Sequence, residues 1–250
     1  MPTEILNRYK KDFADVDGFF MPLAMATWDF LFKAQKDLDV PGGMLEIGVF
    51  QGKSAILSAL YMAVEEPAFF LDLHDVSEAR KRIMSAKPHN AYFLTMNSAN
   101  ALRDAQLADQ KGALRWIHID GEHTGYATAN DLLTAEYLLS DRGIICVDDF
   151  FSFKYPQLTA AVYRFLLERP FSFKMFLASA NKCYICRAGA INQYDEYIRQ
   201  HAIKDMQLTE NNWTLARTSY LHDSGCFSII PRNKNRDFVG LDRNIDSQVF

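Results

Sequence analysis

Residues 42–54, GGMLEIGVFQGKS, decide the fold of this 250-residue chain. The run MLEI at 44–47 is mainly apolar, as in a buried strand, and Gly48 and Gly52 follow where the strand ends. Glycines at such a turn can adopt positive φ and let a ligand approach the backbone closely. Apolar residues then recur at three- and four-residue spacing over 56–64, which predicts an amphipathic helix. The stretch therefore predicts half of a nucleotide-type crevice, built as strand, glycine turn and helix.

The spacing of acid and glycines in this turn differs from the dinucleotide fingerprint. That fingerprint, G-x-G-x-x-G, places a pyrophosphate at a helix N-terminus, whereas this chain has E-x-G-x-x-x-G with Glu46 on the strand itself. A carboxylate there repels phosphate and suits a ligand that carries an amine or hydroxyl groups. The pattern resembles motif I of the class I S-adenosylmethionine-dependent methyltransferases, whose cofactor carries no phosphate. The alternatives are an ordinary turn without a ligand and, less favoured because the third glycine is missing, a dehydrogenase.

Cofactor contacts are predicted at the ends of successive strands. Asp72 and Asp75 follow Gly52 by 20 and 23 residues, and an acid about 20 residues after such a turn commonly holds ribose hydroxyls. Asp72 is the first choice and Asp75 the second; a solvated acid is the alternative for either. The resemblance to methyltransferases implies adenine contacts from Asn97 and Ser98. The other predicted cofactor contacts are Glu46, Gly48, Phe50, Gly52, Ser54 and Asp120.

The second informative region contains two neighbouring strands that end in carboxylates. LRWIHIDGEH at 114–123 ends in Asp120, and IICVDDF at 144–150 ends in Asp148 and Asp149. Ligands of α/β sheets bind at the carboxyl ends of adjacent parallel strands, so these acids are expected on the same edge as the glycine turn. His123 follows Asp120 by three residues, and imidazole titrates near neutrality. His123 is therefore a candidate general base, with a hydrogen-bonded supporting or capping histidine as the alternative.

A narrower resemblance rests on residues 117–151, IHIDGEHTGYATANDLLTAEYLLSDRGIICVDDFF. This stretch is similar to the macrocin and novobiocin sugar O-methyltransferases, and the similarity extends over about residues 42–188. The resemblance implies magnesium bound by Asp120, Asp148 and Asp149, and carboxylate oxygens are ligands that suit Mg²⁺. Consecutive strand residues point to opposite faces, so Asp148 and Asp149 can share an ion only if the strand ends or twists there.

The order of segments predicts a Rossmann-like, doubly wound, mostly parallel seven-stranded sheet with an antiparallel edge hairpin. The hairpin is predicted over 171–179 and 182–187. We expect an N-terminal helical cap over 1–41, a cofactor-binding domain over 42–189, and an extension over 190–250 that serves as a lid, a substrate contact or a dimer contact. Whether the cap covers the crevice or only the sheet stays open, as does the formation of a homo-oligomer.

Composition limits the class of partner. Hydrophobic residues make up 49% of the chain, and the net charge is -4, which gives no support for nucleic-acid binding. The longest apolar stretch, 19–32, contains a proline and an aspartate and is too short to span a bilayer. Four cysteines in a chain of this length do not form a disulfide framework, so a cytoplasmic location is expected.

These observations together predict S-adenosylmethionine-dependent methyl transfer, assisted by Mg²⁺ or another divalent cation, to a hydroxyl of a small molecule. A sugar, another natural product or a phenol would serve as acceptor, as in natural product biosynthesis. Asp120 or His123 would take the proton. The alternatives are a metal-independent methyltransferase of the same fold and a non-catalytic nucleotide-type binding protein.

Overall fold

The computed structural model describes residues 1–86, 88, 90–218, 225–232 and 247–249. The described strands form one ten-stranded sheet, in the order β10-β8-β9-β6-β7-β5-β4-β1-β2-β3. The strands are β1 Gly43–Ile47, β2 Pro67–Asp72, β3 Asn90–Thr95, β4 Leu114–Ile119, β5 Leu139–Val147, β6 Phe173–Ser179, β7 Lys182–Arg187, β8 Trp213–Thr218, β9 Cys226–Pro231 and β10 Ser247–Val249.

Strands β1 to β5 pair in parallel, and β6 and β7 form an antiparallel hairpin beside β5. The predicted α/β fold with an antiparallel edge is therefore confirmed. The count of seven strands is wrong for the described chain, because β8, β9 and β10 from the C-terminal extension continue the sheet. Strand β9 pairs in parallel with β6 and covers the edge that the hairpin would otherwise leave open. The rest of that extension, 219–224, 233–246 and 250, lies outside the described residues.

Eight α-helices occur in the described residues: α1 Glu4–Asp12, α2 Pro22–Asp37, α3 Lys53–Leu60, α4 Ser77–Ser85, α5 Ala105–Ala108, α6 Gly125–Leu138, α7 Pro156–Glu168 and α8 Ile191–Asp205. Short 3₁₀ helices span Ser98–Arg103 and Ala188–Ala190. The predicted helical region before the first strand consists of two helices, separated at Gly18, which has a φ of 142°. None of these helices is long and apolar enough to cross a bilayer.

The sheet is buried on both faces because its strands carry apolar residues at successive positions. Along β1, Met44 packs into one core cluster and Leu45 into the other. Helices α1 to α4 and α8 cover the face of Met44, whereas α5, α6 and α7 cover the face of Leu45. The cysteines Cys183 and Cys186 likewise belong to different clusters, so the C-x-x-C spacing does not build a metal site. Side chains alternate between faces along each strand.

Candidate functional site

A cavity of about 1010 Å³ opens at the carboxyl ends of the central parallel strands. Ten of the predicted site residues line it: Gly48, Phe50, Ser54, Asp72, Asn97, Ser98, Asp120, His123, Asp148 and Asp149. Glu46 and Gly52 lie behind its wall. Gly18, Phe19, Met21 and Ala24 also line the cavity, so the N-terminal region borders the crevice as well as packing on the sheet.

Gly48 allows β1 and β4 to approach each other at the cavity floor. Its φ is +89°, and a Cβ at this position would lie 1.9 Å from the carbonyl oxygen of Asp120. Its N–H donates to the carbonyl of Leu71, which ties the turn to β2. The sequence predicted a glycine turn here; the reason is contact with the neighbouring strand end as much as space for a ligand.

Asp72 and Asp75, the two candidates for the ribose, have different surroundings. Asp72 lines the cavity, and its carboxylate accepts hydrogen bonds from the backbone N–H groups of Phe50 and His74, each at 2.9 Å. Asp75 is absent from the cavity wall and accepts from the N–H and hydroxyl of Ser77 at the start of α4. The two bonds to Asp72 fix its carboxylate at the mouth of the glycine turn, which favours Asp72.

Glu46 is fully buried and does not line the cavity, but it contacts a residue that does. Its Oε1 accepts a hydrogen bond of 2.5 Å from Ser54, which lines the cavity. Its Oε2 is buried and accepts no hydrogen bond from the described residues. Asn97 caps the short 3₁₀ helix that follows β3 by accepting a hydrogen bond from the N–H of Ala99.

Asp120, His123 and Asp149 meet on the cavity wall that follows the ends of β4 and β5. The Nε2 atom of His123 lies 3.3 Å from Asp120 Oδ1 and 3.0 Å from Asp149 Oδ2. The ring stacks on Tyr155 with 4.4 Å between centroids, which restricts its rotation. The hydrogen bond with Asp120 and the nearby acids raise the pKa of His123, although burial opposes them. Burial raises the pKa of the Asp120 carboxyl.

Asp148 and Asp149 both reach the cavity because the strand ends just before them. Strand β5 ends at Val147, and Asp149 has a φ of 53°, a left-handed conformation that is uncommon outside glycine. Because the chain turns here, the two side chains need not point to opposite faces of the sheet, as they would in a continued strand. The hairpin of β6 and β7 supplies one partner to each acid. Asn181 in its turn donates to Asp149 Oδ1 at 2.5 Å, and the ammonium of Lys182, the first residue of β7, contacts Asp148 Oδ2.

Four charged side chains form a row across the sheet beside the cavity, and Asp148 and Lys182 also line it. We call them the buried charged row: Glu46, His118, Asp148 and Lys182. His118 Nδ1 lies 3.4 Å from Glu46, and its Nε2 lies 3.8 Å from Asp148. Burial lowers the pKa of His118, but the Glu46 and Asp148 carboxylates outweigh it and raise the pKa to about 9. The ring of Trp28 from α2 packs edge-on against His118 at 4.7 Å.

Sequence reasoning missed His118 and Lys182. His118 precedes Asp120 by two residues, as Glu46 precedes Gly48, so the period of two along each strand placed both on one face. That signal was available in the sequence. Lys182 carries no such signal, because its place beside Asp148 depends on how β7 pairs with β5.

Asp131 on α6 is a buried acid close to this site. Its side chain is fully buried, and burial raises its pKa to about 6, an effect that a side-chain contact with Ser98 only partly offsets. A pKa above the usual value near 4 means that the folded state disfavours the ionised form. The fold is therefore relatively more stable in acid, and that advantage is lost as the pH rises from about 4 through 6.

We expect Asp131→Asn to stabilise the protein at pH 8 by about 1–3 kcal/mol and to have little effect at pH 4. Thermal unfolding followed by circular dichroism at the two pH values measures the difference. An equal change at both pH values would show that ionisation of Asp131 is not the cause.

Comparison with known proteins supports a methyltransferase. Residues 45–150 match the profile of the family described as "Methyltransferase domain". Among curated protein sequences, none matches the chain.

Solved structures share the fold at low sequence identity. The O-methyltransferase NovP is 16% identical with a TM-score of 0.56, over 68% of this chain and 83% of NovP. MycE methyltransferase from the mycinamycin biosynthetic pathway, in complex with Mg and SAH, is 12% identical with a TM-score of 0.56, over 74% of this chain and 55% of MycE. CalS11, a TDP-rhamnose 3′-O-methyltransferase of calicheamicin biosynthesis, is 15% identical with a TM-score of 0.51, over 74% of this chain and 94% of CalS11. The chain thus resembles natural product O-methyltransferases in fold.

Proposed function

Since residues 45–150 of this chain form a class I S-adenosylmethionine-dependent methyltransferase domain, we propose that the protein transfers a methyl group to a hydroxyl oxygen of a small molecule. One observation carries the proposal: the predicted cofactor residues Gly48, Asp72 and Asn97 share one cavity with Asp120 and His123. The first group suits a ribose and an adenine, and the second suits proton removal from an acceptor. NovP, MycE and CalS11 support the choice of an oxygen acceptor on a sugar or another natural product.

Methyl transfer needs an acceptor oxygen in line with the sulfonium methyl, and the cavity must hold both. The acceptor oxygen attacks the methyl carbon, the carbon–sulfur bond breaks, and its electron pair stays on sulfur. The hydroxyl proton passes to His123, whose Nε2 atom lies close to the carboxylates of both Asp120 and Asp149. Because both acids raise the pKa of His123, its neutral, proton-accepting form gains population as the pH rises above the usual histidine range.

The carboxylates beside His123 fit a hard divalent cation, because such cations prefer oxygen ligands. The carboxylates of Asp120 and Asp149 are partly exposed to the cavity, and they lie 3.3 and 3.0 Å from the Nε2 atom of His123. A second group of candidate ligand atoms, from His118, Asp120 and Asp148, lies within 4.8 Å of one another. A bound Mg²⁺ would lower the pKa of the acceptor hydroxyl and fix its oxygen. We place the ion on Asp120 and Asp149, because Asp148, the third predicted ligand, is in contact with Lys182.

Lys182 also supports the metal-independent alternative. Together with His123 it already balances part of the negative charge of the three aspartates, the charge that would otherwise require a metal ion. The two alternatives differ in their response to a chelator. Methyl transfer that survives exhaustive EDTA treatment would exclude the metal-assisted mechanism.

We test the function by titrating the purified protein with S-adenosylhomocysteine and then screening transfer from labelled S-adenosylmethionine to sugars, phenols and nucleosides. Saturable binding, tighter than that of NAD⁺, and labelling of a hydroxyl compound are expected. A folded protein that does not bind S-adenosylhomocysteine would refute the proposal. Binding without transfer to any acceptor would favour a non-catalytic protein. The cytoplasmic location stays a prediction, supported by four free cysteines.

The metal assignment makes a separate prediction. Asp120→Asn and Asp149→Asn should each lower the affinity for Mn²⁺, used as a spectroscopic probe, by at least about tenfold, because each removes an anionic ligand. Electron paramagnetic resonance of free Mn²⁺ measures the change, and Asp75→Asn, which changes an exposed acid outside the cavity, serves as the control. Unchanged Mn²⁺ binding in both variants would contradict the assignment.

A further inference from the structure

Lys53 is a cation in the cavity wall that neither the sequence motifs nor the comparisons assign. It is the first residue of α3 and directly precedes Ser54. The lysines that line the cavity in the described part of the chain are Lys53, Lys154 and Lys182. Lys182 contacts Asp148, and Lys154 lies over the ring of Tyr155 at 5.0 Å. Among the described residues, the Lys53 ammonium takes part in no ion pair with an acid.

The N-terminal region fixes the position of Lys53. Its backbone carbonyl accepts a hydrogen bond of 2.9 Å from the hydroxyl of Tyr9 on α1. Gly18 packs on the aliphatic part of the side chain, and a Cβ at Gly18 would lie 3.0 Å from Lys53 Cβ and 3.4 Å from Cδ. With these contacts on one side, the Lys53 side chain lines the cavity together with Gly18 and Phe19.

The remaining lining charges are mostly negative. Asp72, Asp120, Glu122, Asp148 and Asp149 all border the cavity. S-adenosylmethionine carries one anionic group, the carboxylate of its methionine moiety, and this group would be repelled by most of the cavity wall. An ammonium beside the glycine turn compensates for this repulsion, because a charge-assisted hydrogen bond to a carboxylate is stronger than a neutral one.

We propose that Lys53 binds the methionine carboxylate of the cofactor and so adds a binding residue to the predicted set. The proposal rests on the proposed function, since it requires the cofactor. Asp72, at the end of β2, suits the ribose. Lys53, at the start of α3, then suits the amino-acid part of the cofactor. An acidic group on the acceptor substrate is the other anion that this lysine would attract, and the choice of ligand in the experiment separates the two.

The test compares S-adenosylhomocysteine with 5′-methylthioadenosine, which keeps the adenosine and the thioether but lacks the amino-acid part. Isothermal titration should show that Lys53→Met binds S-adenosylhomocysteine about tenfold more weakly than the unaltered protein, while 5′-methylthioadenosine binds equally to both. Lys53→Arg should retain most of the affinity, because it retains the charge. Lys111→Met, which removes an exposed lysine over Tyr137, should change neither affinity. Circular dichroism checks that each variant is folded.

Three outcomes would overturn the proposal. Unchanged binding of S-adenosylhomocysteine to Lys53→Met would show that the lysine does not contact the cofactor carboxylate, and would direct attention to an acidic acceptor. An equal weakening of both ligands would show a structural role for Lys53. If the unaltered protein binds neither ligand, the proposed function itself fails, and this result is distinct from the other two.

Discussion

Lys182→Met is expected to lower the free energy of unfolding by about 3 kcal/mol, because it removes the nearer positive charge from the buried Asp148 and leaves the more distant His118, at 3.8 Å, beside it. The Lys182 side chain is 4% exposed and that of Asp148 is 12% exposed. Burial raises the pKa of Asp148, but Lys182 and His118 outweigh it and hold this pKa well below its usual value. The folded state thus gains stability from the ionised acid, and this gain is present above the usual aspartate pKa and lost only as the pH falls below it. Urea unfolding at pH 7.5 measures the loss.

Two controls identify the charge pair as the cause of this effect. The double variant Lys182→Met/Asp148→Asn removes both charges and should recover most of the lost stability, since replacing a whole buried ion pair is far less costly than breaking it. The deficit of Lys182→Met should also shrink at pH 4.5, where an unpaired Asp148 becomes protonated. A loss below about 1 kcal/mol at pH 7.5, or a double variant as unstable as the single one, would contradict the prediction.

Gly48→Ala has the second large expected effect, on both stability and cofactor binding. The new Cβ would lie 1.9 Å from the carbonyl oxygen of Asp120, and φ at this position is +89°. Steric overlap with a backbone atom forces β1 and β4 apart, and the left-handed backbone adds strain, together about 3 kcal/mol or more. Since Asp120 lies at the cavity floor, S-adenosylhomocysteine should bind at least about tenfold more weakly. Urea unfolding and isothermal titration measure the two effects.

Other glycines of the chain serve as matched controls for this substitution. Gly112 has a φ of +65°, but a Cβ there would meet nothing within 4 Å, so Gly112→Ala should cost only about 1 kcal/mol from backbone strain. Gly189 has neither a positive φ nor a close neighbour, and Gly189→Ala should have almost no effect. If Gly48→Ala were no more destabilising than Gly112→Ala, contact with Asp120 would not be what requires a glycine.

The parts of the fold that local pattern determines could be predicted from the sequence. The glycine turn, the acids at the ends of β4 and β5, and the hairpin of β6 and β7 all follow from short stretches of apolar residues and turn residues. The class of sheet, mostly parallel with an antiparallel hairpin, was available because these stretches resemble a known family. The C-terminal strands had no such guide: β9 pairs with β6 across about 50 residues of chain, and apolar periodicity does not specify a partner.

The site was predictable in its acids but not in their basic partners. Asp120, Asp148 and Asp149 stand at strand ends, which sequence identifies. Whether Asp148 and Asp149 could face one cavity depended on the backbone angle of Asp149, and an αL conformation at a non-glycine residue has no clear sequence signal. Asn181 and Lys182 belong to a hairpin that is distant in sequence from the acids. Only the folded sheet shows that Asn181 contacts Asp149 and that Lys182 contacts Asp148.

The pairing of β7 with β5 makes the charge balance of the cavity dependent on hairpin length. Val147 stands opposite Cys183 in this antiparallel pair, so the next steps bring Asp148 beside Lys182 and Asp149 beside Asn181. One residue inserted into or deleted from the two-residue hairpin loop would shift this alignment and remove the ammonium from Asp148. Relatives with a longer or shorter loop would therefore differ in electrostatic potential and in affinity for cations, even with all three aspartates retained. We therefore expect the length of this loop to tune the chemistry of the site without a change in any acidic side chain.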